Sequence, residues 1–155
     1  MQAYRQQMEQ GIIPQAYQGL MGYLASFRTH MINQYPEYHV SSIYYGYMDM
    51  TYFSFTPQII KKQHLKIPIV FLHEAFRFEV WLAAVNKRIQ QEYWQLLKDS
   101  SWRKYRLVSS TQGSDAILEN VLVANPDFTD LDNLSHQLEV GTLKFTQDVI
   151  AFLNP

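Results

Sequence analysis

Apolar side chains recur along this chain with two different periods. Tyr17, Leu20, Met21, Leu24, Phe27, Met31, Ile32 and Tyr35 follow one another at three- and four-residue spacing after Pro14. That pattern predicts an amphipathic helix with a proline in its first turn and an end before Pro36. The polar residues before Gly11 predict a short helix of their own. Leu131, Leu134, Leu138, Phe145, Val149 and Phe152 predict a second long helix, capped by Thr129, with Asp130 and Asp132 near its positive end. Asn86 is placed to cap a shorter helix through Lys98, with Ile89, Tyr93, Leu96 and Leu97 as its buried stripe. Thr56-Pro57 reads as a cap and first-turn proline of a brief helix reaching His64.

Elsewhere the period is two. In residues 76–82, FRFEVWL, a strand would place Phe76, Phe78, Val80 and Leu82 on one face and Arg77, Glu79 and Trp81 on the other. One face is then core, and the other carries a cation, an anion and an indole in a row. Residues 67–72 predict a neighbouring strand, with Pro68 placing its start at an edge. The link around residues 73–75 is too short for a parallel crossover, so the two strands run antiparallel. Residues 40–55 predict two strands, interrupted either by a hairpin turn near residues 47–49 or by a bulge. Residues 102–108 predict a short strand; residues 116–123 alternate poorly and fit either helix or strand, with a strand after a short helical start favoured. The expected fold is a single α+β domain over residues 1–155: a mainly antiparallel sheet of about four to six strands packed against two long helices and a shorter one.

The length, 155 residues, suffices for one hydrophobic core without metals or disulfides. Cysteine is absent, which excludes disulfide scaffolds, thiolate metal sites and cysteine nucleophiles and fits a reducing compartment. The opening MQAYRQQMEQ lacks the apolar stretch of a secretory signal, and no later apolar run approaches the roughly 18 residues of a membrane span. A cytoplasmic protein with no membrane partner is expected. The net charge of −1 gives no support to a general nucleic-acid binder. Charge is nevertheless uneven: residues 61–106 hold ten of the thirteen Lys and Arg, whereas residues 107–143 hold none and carry six acidic groups. The two segments either face each other or decorate solvated surfaces. Eleven Tyr, nine Phe and three Trp suit an aromatic core or, in part, a ring-lined cleft.

Familiar catalytic motifs are missing. His73-Glu74 suggests a zinc protease helix, but position 77 is Arg where the second histidine belongs, and His30, His39, His64 and His136 have no ligand spacing. No metal and no cofactor are expected. A nuclease pattern of Asp49 with Glu79 fails because Trp81 stands where a lysine is required. No nucleophile elbow, phosphate loop or dinucleotide turn occurs. Residues 98–106, KDSSWRKYR, mix cations with Trp102 and Tyr105, a combination that either grips nucleic acid or pins a surface connection to the core.

IPQAYQGLMGY, SIYYGYMDMTYF, HEAFRFEVWLAAVNK and NPDFTDLDNL together resemble the sequence blocks of an uncharacterised family of small bacterial proteins, a domain of unknown function, over nearly the whole chain. The resemblance implies a bacterial origin and no chemistry. Ala84 stands where the pattern leads one to expect glycine.

The leading expectation is therefore a noncatalytic ligand-binding or interaction module that uses the polar aromatic strand face of Arg77, Glu79 and Trp81, with Tyr45, Tyr47, Asp49 and His73 at its margin. A small anionic or aromatic ligand fits that face, with Trp81 stacking, Arg77 meeting the anion and Glu79 orienting Arg77. The competing expectations are a hydrolase or transferase with His73 or Glu74 as acid-base and Asp49 or Glu79 as electrostatic partner, and nucleic-acid binding through residues 98–106.

Overall fold

The computed structural model describes residues 1–155. Helices are α1 (Gln2–Gln10), α2 (Ile12–Gln34), α3 (Gln58–Lys61), α4 (Lys87–Asp99) and α5 (Leu131–Leu153). Strands are β1 (His39–Val40), β2 (Met50–Thr56), β3 (Leu65–Lys66), β4 (Pro68–Leu72), β5 (Arg77–Ala84), β6 (Arg106–Leu107) and β7 (Ala116–Val123). All seven strands pair antiparallel, in the order β1-β2-β4-β5-β7-β6, and β3 adds to the far end of β5. The fold is thus α+β as expected, but with seven strands, three of them only two residues long, and five helices.

The period-two pattern of β5 is what lets it serve as the middle of the sheet. Phe78, Val80 and Leu82 point to one side and are completely buried. That side is covered by the two 23-residue helices. Leu24, Phe27 and Met31 of α2 and Leu134 and Leu138 of α5 meet Phe53, Phe55, Phe71 and Phe78. Farther along, Val80 and Leu82 meet Phe145 and Val149 of α5 with Ile89 and Leu97 of α4. A smaller cluster on the reverse face joins Val70, Trp81, Val108 and Ala116. Truncating a fully buried Phe such as Phe78 to Ala would remove about 3–5 kcal/mol, a large part of a domain's net stability.

Several boundaries depart from expectation, each for a local reason. Strand β5 starts at Arg77, because Phe76 sits in the β4–β5 turn with left-handed backbone (φ 50°) and is half exposed. Pro68 lies inside the sheet, not at an edge: it faces Ser54, whose N–H and C=O both turn away to Ser41, so no ladder bond is lost. Thr129 does not cap α5. Its hydroxyl and N–H are taken by Asp127, and Asp130 becomes the cap by accepting from the N–H of Asn133. Thr56 belongs to β2, and α3 ends at Lys61 rather than His64. Strand β7 has no helical start, and only Arg106 and Leu107 of residues 102–108 pair. On α4, Leu96 faces solvent and Gln90 is buried in its place, its amide donating to the carbonyls of Ser114 and Ala116. Ala84 ends β5 outside the left-handed region and has no need of glycine.

The interruption in residues 40–55 is a hairpin turn. Tyr44 and Tyr52 exchange both backbone bonds, and the chain reverses through Gly46 (φ 73°) and Met48 (φ 62°). A Cβ at Gly46 would collide with the carbonyl oxygen of Met50, whereas one at Gly113, with similar φ, would meet nothing. Gly113→Ala should therefore cost only the left-handed penalty of about 1–2 kcal/mol, and Gly46→Ala clearly more. Denaturant unfolding of the two variants measures this; equal losses would contradict the turn geometry.

Candidate functional site

Arg77, Glu79 and Trp81 do project together from β5, and they are engaged with one another. Arg77 Nε donates to Glu79 Oε1 at 2.7 Å, with Nη2 2.6 Å from the same oxygen, while Trp81 Nε1 donates to Oε2 at 2.6 Å. Both carboxylate oxygens are thereby used. The Glu79 side chain is only 3% exposed, against 36% for Arg77. Glu119 stands opposite Trp81 on β7. Its carboxyl is pushed up, first by burial and then by Glu79, although Arg106, 3.3 Å away, and Arg77 pull the other way.

The seven residues singled out by sequence do not share one hollow. Arg77 and Glu79 floor a shallow one of about 280 Å³ beside Lys104 and Arg106. Trp81 borders another of about 340 Å³ with Tyr44, Tyr52, Lys66 and Asp115. Tyr45, Tyr47 and Asp49 belong to the hairpin turn, where Asp49 accepts from the N–H of Tyr47 at 2.8 Å. The backbone N–H groups of Tyr47, Met50 and Asp49 itself hold that carboxyl below its ordinary range. Of the seven, His73 alone lines a third and roomier hollow, a cleft of about 530 Å³.

That cleft is built from four parts of the chain. Tyr17, Leu20 and Tyr23 come from α2, Phe71 and His73 from the end of β4, and Phe76 and Met48 from the two turns. Phe128, ahead of α5, closes the ring of aromatics: it lies 5.9 Å from both Tyr23 and Phe76, and Phe76 lies 5.3 Å from Phe71. Its walls are almost wholly apolar. Met48 and Phe76, each 53% exposed, form its rim, and both have left-handed backbone, which costs a non-glycine residue about 1–2 kcal/mol. Sequence reasoning misses Met48, Phe76, Tyr17 and Phe128 as cleft residues: the hairpin alternative at residues 47–49 takes in Met48 without marking it as a wall, alternation assigns Phe76 to the core face of a strand, and periodicity gives Tyr17 to a helix face.

Besides the hydroxyls of Tyr17 and Tyr23, His73 supplies the polar atoms among the side chains that line the cleft, and its proton can be located. Thr51 Oγ1 donates its single proton to the carbonyl of Tyr45 at 2.7 Å, so in the 2.9 Å contact with His73 Nε2 the hydroxyl must accept. Nε2 is therefore protonated. Burial pushes the His73 pKa below its ordinary 6.5, outweighing the upward pull of Asp49, so the ring is neutral and Nδ1 carries a lone pair. The ring stacks near Tyr17 at 6.2 Å and meets the edge of Phe71 at 5.1 Å. Glu74 is exposed and Glu79 lies on the opposite sheet face from His73, so neither pairs with it; Asp49 is near enough to act on the charge of His73, but its carboxylate accepts from backbone N–H groups of the hairpin turn. No three acidic or histidine side chains come together as a metal site.

The aromatics of residues 98–106 turn inward. Trp102 stacks on Phe152 at 4.8 Å, Tyr105 packs on Phe145 and donates to Asp148, and Arg103 reaches the carbonyls of Leu97, Lys98, Ser100 and Trp102.

The chain belongs to a family whose description is a domain of unknown function, DUF7000, and the family model matches residues 1–153. No curated protein and no solved structure is a significant match.

The lowered pKa of His73 sets a sign for stability. Below pH 6.5 the unfolded chain takes up this proton while the folded one resists, so stability falls as pH drops toward the folded value. Glu119, with its pKa raised above 4.5, contributes in the opposite sense. The comparison with His73→Gln cancels it: from about pH 7 to 5.5, wild type should lose more stability than the variant. Parallel pH profiles in thermal or denaturant unfolding would contradict the partly buried neutral imidazole.

Proposed function

We propose that this protein is a noncatalytic ligand-binding module and that its site is the aromatic cleft around His73, which takes a small ring-containing molecule. The observation that carries the reading is the rim. Two turns hold Met48 and Phe76 in left-handed backbone, where glycine or asparagine would sit at lower energy, and both side chains border the same apolar hollow. Such strain persists where the side chain is worth its cost. A volume of about 530 Å³ and largely apolar walls with a few polar atoms, those of His73, Tyr17 and Tyr23, suit a drug-sized ligand. In this reading Arg77, Glu79 and Trp81 hold the centre of the sheet, and the ligand is aromatic rather than anionic. The setting is taken as bacterial and cytoplasmic, in keeping with the cysteine-free chain and its family-like sequence blocks. Nucleic acid is disfavoured as a partner by the near-neutral charge and the inward rings of Trp102 and Tyr105.

Titration with the fluorophore N-phenyl-1-naphthylamine tests the site. Wild type should enhance its emission, and Met48→Asp or Phe76→Asp should weaken binding by at least about tenfold, roughly 1.4 kcal/mol, with little change in melting temperature because both positions are half exposed. Arg77→Ala should do the converse. It leaves the buried Glu79 carboxylate short of its cation, which costs about 2–4 kcal/mol of stability, while the probe still binds. Absence of binding to wild type, or binding indifferent to the rim variants, would refute the reading.

A further inference from the structure

We propose that the cleft selects ring compounds that present a neutral hydroxyl or N–H donor to Nδ1 of His73, an inference that rests on the cleft being the ligand site. The hydrogen bonds fix which ring nitrogen is free. Thr51 spends its only proton on Tyr45, so His73 must donate through Nε2, and its remaining nitrogen can only accept. That nitrogen has no protein partner. It is not among the buried polar atoms left unpaired, of which Thr142 Oγ1 is the sole example, so it retains contact with solvent, and the residue that carries it lines the cleft.

The imidazole is also held in place. Its Nε2 is anchored to the buried Thr51, its backbone N–H donates to the carbonyl of Asp49 at 3.0 Å, and its ring lies between Tyr17 of α2 and Phe71 of β4. The acceptor is thus fixed on a wall otherwise made by Leu20, Phe76 and Phe128. A ligand seated there excludes water from Nδ1. A phenol or aromatic N–H replaces the lost hydrogen bond, an ether leaves the lone pair unpaired, and a carboxylate sets an anion against that lone pair with Asp49 close behind.

The matched probes are 2-naphthol and its methyl ether, 2-methoxynaphthalene, titrated by calorimetry. Wild type should bind 2-naphthol about tenfold or more tighter. In His73→Phe, which keeps a ring and loses the acceptor, that preference should vanish while the ether binds at least as well as before. Equal affinities in wild type would overturn this inference and leave the cleft as the ligand site; binding of neither compound would overturn both. Because the substitution also removes the Thr51 bond, a second measurement uses wild type alone. Long-range proton–nitrogen correlation of histidine-labelled protein should show His73 as the Nε2–H tautomer, with Nδ1 shifting on addition of 2-naphthol and not of the ether. An Nδ1–H tautomer, or equal shifts with both compounds, would overturn the proposal.

Discussion

The structure turns on what happens to one carboxylate in the middle of its sheet. Strand β5 pairs with β3, β4 and β7 and buries both of its faces, so the alternation that sends Phe78, Val80 and Leu82 into the helix-covered core must send Glu79 into a nearly closed space on the other side. A carboxylate without partners there would be costly to bury. Arg77 and Trp81, two residues before and after it and hence on the same face, each engage one of its oxygens. The ion pair is local in sequence and needs no distant partner, which leaves the neighbouring strands free to supply Val70, Tyr52 and Ala116 as apolar cover. With β5 held in this way, the register of Phe71 against Phe78 is set, and with it the place where the β4–β5 turn emerges.

That turn is where support gives way to a surface able to act. The end of β4 presents His73 toward α2, and the turn raises Phe76 from the line of the strand to the rim of the cleft. The second turn, closed by Asp49 and by the glycine packed against Met50, brings Met48 to the same rim. Thr51 links the two: its hydroxyl joins the carbonyl of Tyr45 in one turn to the imbedded ring of His73 at the foot of the other. The strained residues, the oriented imidazole and the aromatic walls are therefore parts of a single construction at one end of the sheet.

Much of this was legible in the sequence. The two long helices follow from their three- and four-residue apolar spacing, and the β5 alternation places Arg77, Glu79 and Trp81 on one face because a pleat has no other option. Asn86 as a cap and the antiparallel β4–β5 pair are equally local. What escaped was decided by competition between neighbours. Thr129 has the chemistry of a cap, yet Asp127 takes its hydroxyl first, and the role passes to Asp130. Phe76 has the right parity for the core face but lies in a turn whose left-handed backbone removes it from the strand. Pro68 looks like an edge residue only until the partner opposite it proves to be bonded elsewhere. The cleft was the least legible feature, since its walls come from segments more than a hundred residues apart and each wall residue taken singly reads as ordinary core.

The central claim is that ligand enters the cleft bounded by Met48, Phe76 and Tyr17. The most direct measurement is of intermolecular nuclear Overhauser effects from bound N-phenyl-1-naphthylamine to methyl-labelled methionine and ring-labelled aromatic residues. Contacts to the Met48 methyl group and to the rings of Phe76 and Tyr17 are the expected result. Contacts confined to Trp81 and Tyr52 on the opposite face of the sheet would contradict it.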